Sequence, residues 1–324
     1  MARKTTSKEQ RAKSKEPVAR SKTRKVKQPR YKSFRVSKRI KITNKPLTGS
    51  FRLLARSLRL LRQNWRLFGG IILIYLLLTV VLVKGFGVSN NIGELKETLA
   101  DAFDGQSARL VTSVALFTVL LGTANSTPSE VAGAYQSILL IIMSLVFIWT
   151  LRQILADKEV KITIRDGFYK GMYPFIPFLL VLLVIGLQLV PLAIGNFLYA
   201  TVIGGGLAVT ALETGLWLIL IFLFGLLSIY MVSSSIFALY IVTLPNVRPL
   251  TALRSARELV RYRRWLIMRK VVFLPIALLI LAGVIIVPIL MVSPAVAEWV
   301  FFVMSMSGLA IAHSFLYSLY RELL

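Results

Sequence analysis

Six stretches of this chain stay apolar for some twenty residues in succession, at about 67–86, 132–152, 174–195, 214–243, 269–292 and 297–319. A hydrocarbon core about 30 Å thick is crossed by roughly 20 helical residues, so each stretch is long enough to span a bilayer. Within lipid only a helix or a closed barrel satisfies every backbone N–H and C=O, and these runs lack the alternation of barrel strands. The expected fold class is therefore all-α, a polytopic integral membrane protein with six transmembrane helices. The fourth stretch is over-long and should tilt or protrude. Pro174, Pro177, Pro191, Pro275 and Pro288 lie within or near the ends of spans and predict kinks. At 56% hydrophobic residues and a mean hydropathy of +0.70, the chain is too apolar for a soluble domain of 324 residues.

Charge orients the spans. Residues 1–46 carry 18 Lys and Arg against only Glu9 and Glu16, with almost no bulky apolar residue before Tyr31. Such a segment cannot bury enough surface to offset its ordering entropy and reads as a disordered basic cytoplasmic tail, leaving 47–324 as the membrane domain. It lacks the apolar core of a cleaved signal peptide. With the tail inside, all of the 40 Lys and Arg except Lys84, Lys96 and Arg109 share its side. The external segments then hold Glu94, Glu97, Asp101, Asp104, Glu130, Glu213 and Glu298. The positive-inside bias thus predicts a multi-pass protein of a bacterial cytoplasmic membrane with both termini cytoplasmic. In the external segment 87–131, Ile92, Leu95, Leu99 and Phe103 predict a short helix ended by Gly105. Residues 110–124 are apolar but too short to cross, and predict a re-entrant or surface-lying helix.

Two spans are preceded by arginine-studded lead-ins. In 50–66, Phe51, Leu54, Leu58, Leu61 and Trp65 recur at helical spacing beside a stripe of Arg52, Arg56, Arg59 and Arg62. In 249–265, Leu250, Leu253, Ala256 and Val260 flank Arg254, Arg257, Arg261 and Arg264, ending at Trp265. Both predict amphipathic helices on the cytoplasmic membrane surface. A shorter, glycine-interrupted copy at 161–175 keeps Arg165 and Lys170, giving a threefold pattern of lead-in and hairpin. Anchoring and orientation are enough to explain these arginines. Their second use is contact with anionic lipid headgroups, where each basic residue contributes about 1 kcal/mol and the guanidinium fork suits phosphate oxygens. The eight arginines are the candidate site. Nucleic acid is the weaker partner for the tail, which interleaves no aromatics before Tyr31 and Phe34.

Little points to catalysis. The absence of cysteine removes disulfides, thiolate metal sites and cysteine nucleophiles. The spacing of Glu94, Glu97, Asp101 and Asp104 lacks the turn glycine of a calcium loop and reads as a solvated face. His313, the single histidine, and Ser233, Ser234 and Ser235 fall in the cytoplasmic halves of the sixth and fourth spans, and a rhomboid-type protease also has its serine in the fourth of six core spans and its histidine in the sixth. No glycine flanks the serines, however, so helix packing is the simpler reading, with His313 hydrogen-bonded inside the bundle or near Tyr317. No phosphate loop or His/Asp metal set is present, and no cofactor is expected.

Residues 235–280 carry a recurring pattern: Pro249, then Ala252-Leu253 and Ser255, then Arg263-Arg264-Trp265 at the junction with the next span. A weaker echo holds Leu54, Ser57, Leu61 and Trp65. This region resembles the membrane domain attached to some prokaryotic glycerophosphodiester phosphodiesterases and related multispanning proteins. The catalytic domain of that group is absent, so the resemblance implies a membrane scaffold and not a hydrolase. The expected role is a non-enzymatic structural or interaction module contacting anionic lipids. The alternative is a transporter or permease subunit for a lipid-like or amphipathic solute, for which internal repeats and kinked spans are suited.

Overall fold

A computed structural model describes residues 47–84, 130–156, 162–206 and 210–324. The basic tail 1–46 lies outside the described residues, as do the two helices expected within 92–124. Every regular element among the described residues is a helix. In chain order these are α1 (Ser50–Gln63), α2 (Trp65–Thr79, extended by a π-helical turn, Val80–Lys84), α3 (Glu130–Ala156), α4 (Ile164–Gly171) and α5 (Phe175–Gln188). There follow α6 (Val190–Gly204), α7 (Ala211–Ser235), the single turn α8 (Ala238–Ile241), α9 (Pro249–Val260), α10 (Arg264–Val292) and α11 (Pro294–Leu323).

Among the described residues five helical stretches are long and apolar enough to cross a membrane: Trp65–Val83, Val131–Ala156, Leu212–Ile241, Arg264–Val292 and Trp299–Leu323. They fall on the first, second, fourth, fifth and sixth expected spans. A sixth crossing is counted if α4 and α5, bent by 74° at their break, are taken together. The third expected span, 174–195, is not one continuous helix. α5 ends at Gln188, Leu189 (φ −88°, ψ −8°) turns the chain, and α6 runs on to Gly204. Pro191 in the first turn of α6 has no N–H to return to the preceding turn, so the helix restarts there. Pro275 and Pro288, by contrast, are accommodated inside α10, which is assigned as one helix.

Three times a short helix breaks and a longer apolar one follows. Between α1 and α2, the backbone N–H and side-chain Nδ2 of Asn64 both donate to the Leu60 carbonyl, at 3.2 and 3.1 Å, and close the first helix. Between α4 and α5 the turn carries Pro174; between α9 and α10 the break falls at Arg261–Arg263. The glycines that made the middle copy look defective have a packing reason. A Cβ on Gly171 would sit 3.3 Å from the Val146 Cα, and one on Gly167 would sit 3.2 Å from Thr150 Oγ1, so α4 lies almost backbone to backbone on α3. Four-residue spacing of small residues is what permits such an approach. Thr163 caps α4 by accepting from the Asp166 N–H at 3.2 Å, and Lys170 pairs with Asp166 at 2.9 Å. The Thr163 hydroxyl and Lys170 hold the half-buried Asp166 carboxyl down at about 2, below the usual carboxylate range.

The core is aromatic. Phe147 of α3 lies between Phe68 of α2 and His313 of α11, with ring centroids 6.3 and 6.4 Å away. Tyr240 of α8 packs against His313, Tyr317 and Tyr320 of α11. At one end of the bundle arginines close the C-terminal ends of other helices. Arg152 donates to the carbonyls of Thr243 (2.7 Å) and Tyr240 (3.4 Å) and to the Thr243 hydroxyl, and Arg321 donates to the Leu155 carbonyl at 2.6 Å. Carbonyls at a helix end have no partner further along the helix, and a cation there also complements the helix dipole. The buried Lys270 of α10 donates to the Thr48 carbonyl, while the Thr48 N–H donates to Glu322 at 3.3 Å, fixing the approach to α1 at this same end.

Candidate functional site

The eight arginines singled out by the sequence divide into two different surroundings. Those of α1, at 52, 56, 59 and 62, are all exposed along one side of the helix. The side of α1 that packs against α11 is not the expected apolar stripe. Leu53 and Ser57 are fully buried there, and the Ser314 hydroxyl donates to the Ser57 carbonyl at 3.4 Å. The stripe of Leu54, Leu58 and Leu61 is only half-buried, and Phe51 is 77% exposed. With 3.6 residues per turn, α1 thus has three faces: one against the bundle, one open and apolar, one of arginines. A sequence pattern with one apolar stripe could not separate the first two.

In α9 the buried positions are Ala252, Ala256 and Val260. Counted from the first helical residue, Leu53 and Ser57 of α1 and Ala252 and Ala256 of α9 occupy the same fourth and eighth positions. The two helices therefore dock in the same register. Leu253 is half-buried and Leu250, on the expected apolar side, is 78% exposed. Small residues took the docking face because they let helices approach closely.

The arginines of α9 lie on a side that looks into a groove of about 410 Å³ between α5, α7 and α9. Arg254 and Arg257 line it from α9, joined by Arg264 from the start of α10. The fourth arginine of the set, Arg261, instead lies over the Tyr262 ring, 5.7 Å from its centroid. Arg264 is held in place by Tyr230 of α7: its Nη1 donates to the phenol oxygen at 2.5 Å, and its guanidinium carbon lies 5.2 Å from the ring centroid. Its Nε is buried without a hydrogen-bond partner. Opposite, Gln188 at the broken end of α5 donates from Nε2 to the Ser235 hydroxyl at 2.8 Å, while its Oε1 is buried and unpartnered. Val184, Met231 and Leu253 supply an apolar wall, and no carboxylate lines the groove.

Gln188 and Val184 of α5 and Tyr230 of α7 were missed from the sequence because they lie on two elements remote in the chain from the arginines of α9. The one available signal was Gln188 itself, a lone amide in the otherwise apolar run 175–193. The serines are engaged locally: Ser233 donates to the Tyr230 carbonyl at 2.9 Å and Ser234 to the Met231 carbonyl at 2.8 Å. His313 hydrogen-bonds through Nδ1 with the Tyr240 hydroxyl at 3.2 Å, inside the bundle and with Tyr240 as partner in place of Tyr317. Among the described residues no group of three or more His, Asp or Glu could hold a metal ion. No family model, curated protein or solved structure matches the chain.

Proposed function

We propose that the protein is a non-enzymatic, six-span module of a bacterial cytoplasmic membrane that meets anionic lipids through its arginine helices. The observation that carries this reading is the three-faced α1, with one side against the bundle, an open apolar side and an arginine side. A helix lying in the plane of a membrane boundary needs these three surroundings. In this reading the third crossing is α5 continued by α6, in hairpin with α7; the Leu192 N–H donates to Ser228 at 3.1 Å and Gln188 to Ser235 along its length. α4 then lies on the surface as α1 and α9 do, both termini are cytoplasmic, and the resemblance of residues 235–280 to phosphodiesterase membrane domains is to a scaffold alone.

The test is the lipid shell of the full chain in bilayers mixing phosphatidylglycerol with phosphatidylcholine, read from the motionally restricted fraction of spin-labelled lipid. The parent should enrich the anionic lipid, and replacement of all eight arginines by glutamine should remove the enrichment. An unchanged shell would reject lipid contact. For topology, single cysteines at Ser107 and Ser255 in this cysteine-free chain should label from opposite sides. One observation favours a second reading, a permease subunit for a lipid-like solute: the helix break at Leu189, beside Gln188, resembles the discontinuous helices of transporter sites. Flux of a labelled amphiphile into proteoliposomes would establish it.

A further inference from the structure

We infer that the groove between α5, α7 and α9 is a one-molecule site for an amphiphile bearing a phosphomonoester headgroup. This rests on the lipid-contact reading and narrows it from a charged surface to one place and one headgroup chemistry. Three guanidinium groups, Arg254, Arg257 and Arg264, line the groove with no carboxylate among them. That excess of three positive charges matches a phosphomonoester, which carries about −1.5 to −2 and three acceptor oxygens, better than a diester with one charge. Arg264 is preorganised by Tyr230 and keeps a buried, unpartnered Nε donor. Gln188 keeps a buried, unpartnered acceptor, suited to the proton that a monoester carries part of the time or to a headgroup hydroxyl. The wall of Val184, Met231 and Leu253 gives the first carbons of an acyl chain an apolar path that free phosphate would not use. The groove's volume of about 410 Å³ takes a headgroup and its glyceryl linkage, while the chains would run on over the exposed apolar surface of α7.

Native mass spectrometry of the full chain in non-ionic detergent tests this, with phosphatidate, phosphatidylglycerol and phosphatidylcholine titrated separately and inorganic phosphate as competitor. The expected result is one saturable phosphatidate per chain, bound about tenfold more tightly than phosphatidylglycerol. R254Q/R257Q should weaken that binding about twentyfold. R52Q/R56Q/R59Q/R62Q should change it by no more than about twofold. Ser234→Phe, at a half-buried position lining the groove, should weaken it by narrowing the groove with every charge in place. Equal binding of phosphatidate and phosphatidylglycerol would overturn the monoester assignment. Full displacement of phosphatidate by millimolar inorganic phosphate would overturn the lipid assignment. Should the α1 variant lose the anionic preference while the α9 variant keeps it, the groove is not the site but the surface reading stands. Loss in neither variant removes both.

Discussion

α1 and α9 look like copies of one device, yet they differ in what their arginines face. Both start a helix–break–helix unit, and both bury their fourth and eighth residues against neighbouring helices. The arginines of α1 are exposed along one side of the helix. Those of α9 share a groove with Gln188, Tyr230 and Ser234 because the break at Leu189 and the long α7 bring polar groups alongside. The docking face sets where such a helix sits. What the neighbouring helices present decides whether its charge becomes a site.

The likeness can be broken where it is strongest. Ser57→Leu and Ala256→Leu both insert bulk at fully buried positions of the shared register, so each should destabilise the bundle by about 1–3 kcal/mol. Thermal unfolding in detergent should show two similar drops in Tm, and an unaffected Ala256→Leu would separate the two docking modes. Next in size is Arg152→Gln, which leaves the carbonyls of Tyr240 and Thr243 short of their donor and should cost about 1–3 kcal/mol by the same measurement. Arginine replacement should then separate the helices. Glutamine at Arg254 and Arg257 should remove phosphatidate-dependent thermal stabilisation, and four glutamines in α1 should leave most of it.

Smaller effects sharpen the contrast with the middle unit. Gly171→Ala places a methyl 3.3 Å from the α3 backbone and should loosen α4, read as faster proteolysis between α3 and α5. Asp166 supplies a pH signature that neither arginine helix has. Its folded carboxyl is held at about 2, below the unfolded value of about 3.9, so its contribution is present above pH 4. That contribution is lost as pH falls toward 2. Asp166→Asn should flatten the acid limb of α4 protection measured by hydrogen exchange, and an identical limb in the variant would remove the assignment.

Much of this architecture was legible in the chain because lipid imposes a length rule that few sequences meet by accident. Five expected spans coincide with long apolar helices. The break at Leu189 falls beside Pro191, one of the prolines that predict kinks, although the length rule alone read 174–195 as one span. The packed faces of α1 and α9 could not be told from their apolar sides for a different reason. Large apolar side chains need not take the buried positions: Leu250 and Phe51 are exposed, Phe51 meeting the Phe273 ring at its edge, while Ser57 and Ala256 are fully buried. The groove was illegible in part because its arginines were visible but their counterparts lie on two other helices, α5 and α7, distant in the chain. Arg152 and Arg321 were counted only as topology-setting charge, although each is committed to a particular helix end.

Those two arginines also set an order of assembly. The end of α3 gives its guanidinium to residues 91 positions later and receives one from 166 positions later, and Thr48 reaches Glu322 across 274. Contacts this distant in the chain cannot form until nearly all of it has been synthesised. During synthesis the end of α3 must therefore wait with an open carbonyl at Leu155 and an unmatched guanidinium at Arg152. The arrival of α11 is the step that latches the bundle shut.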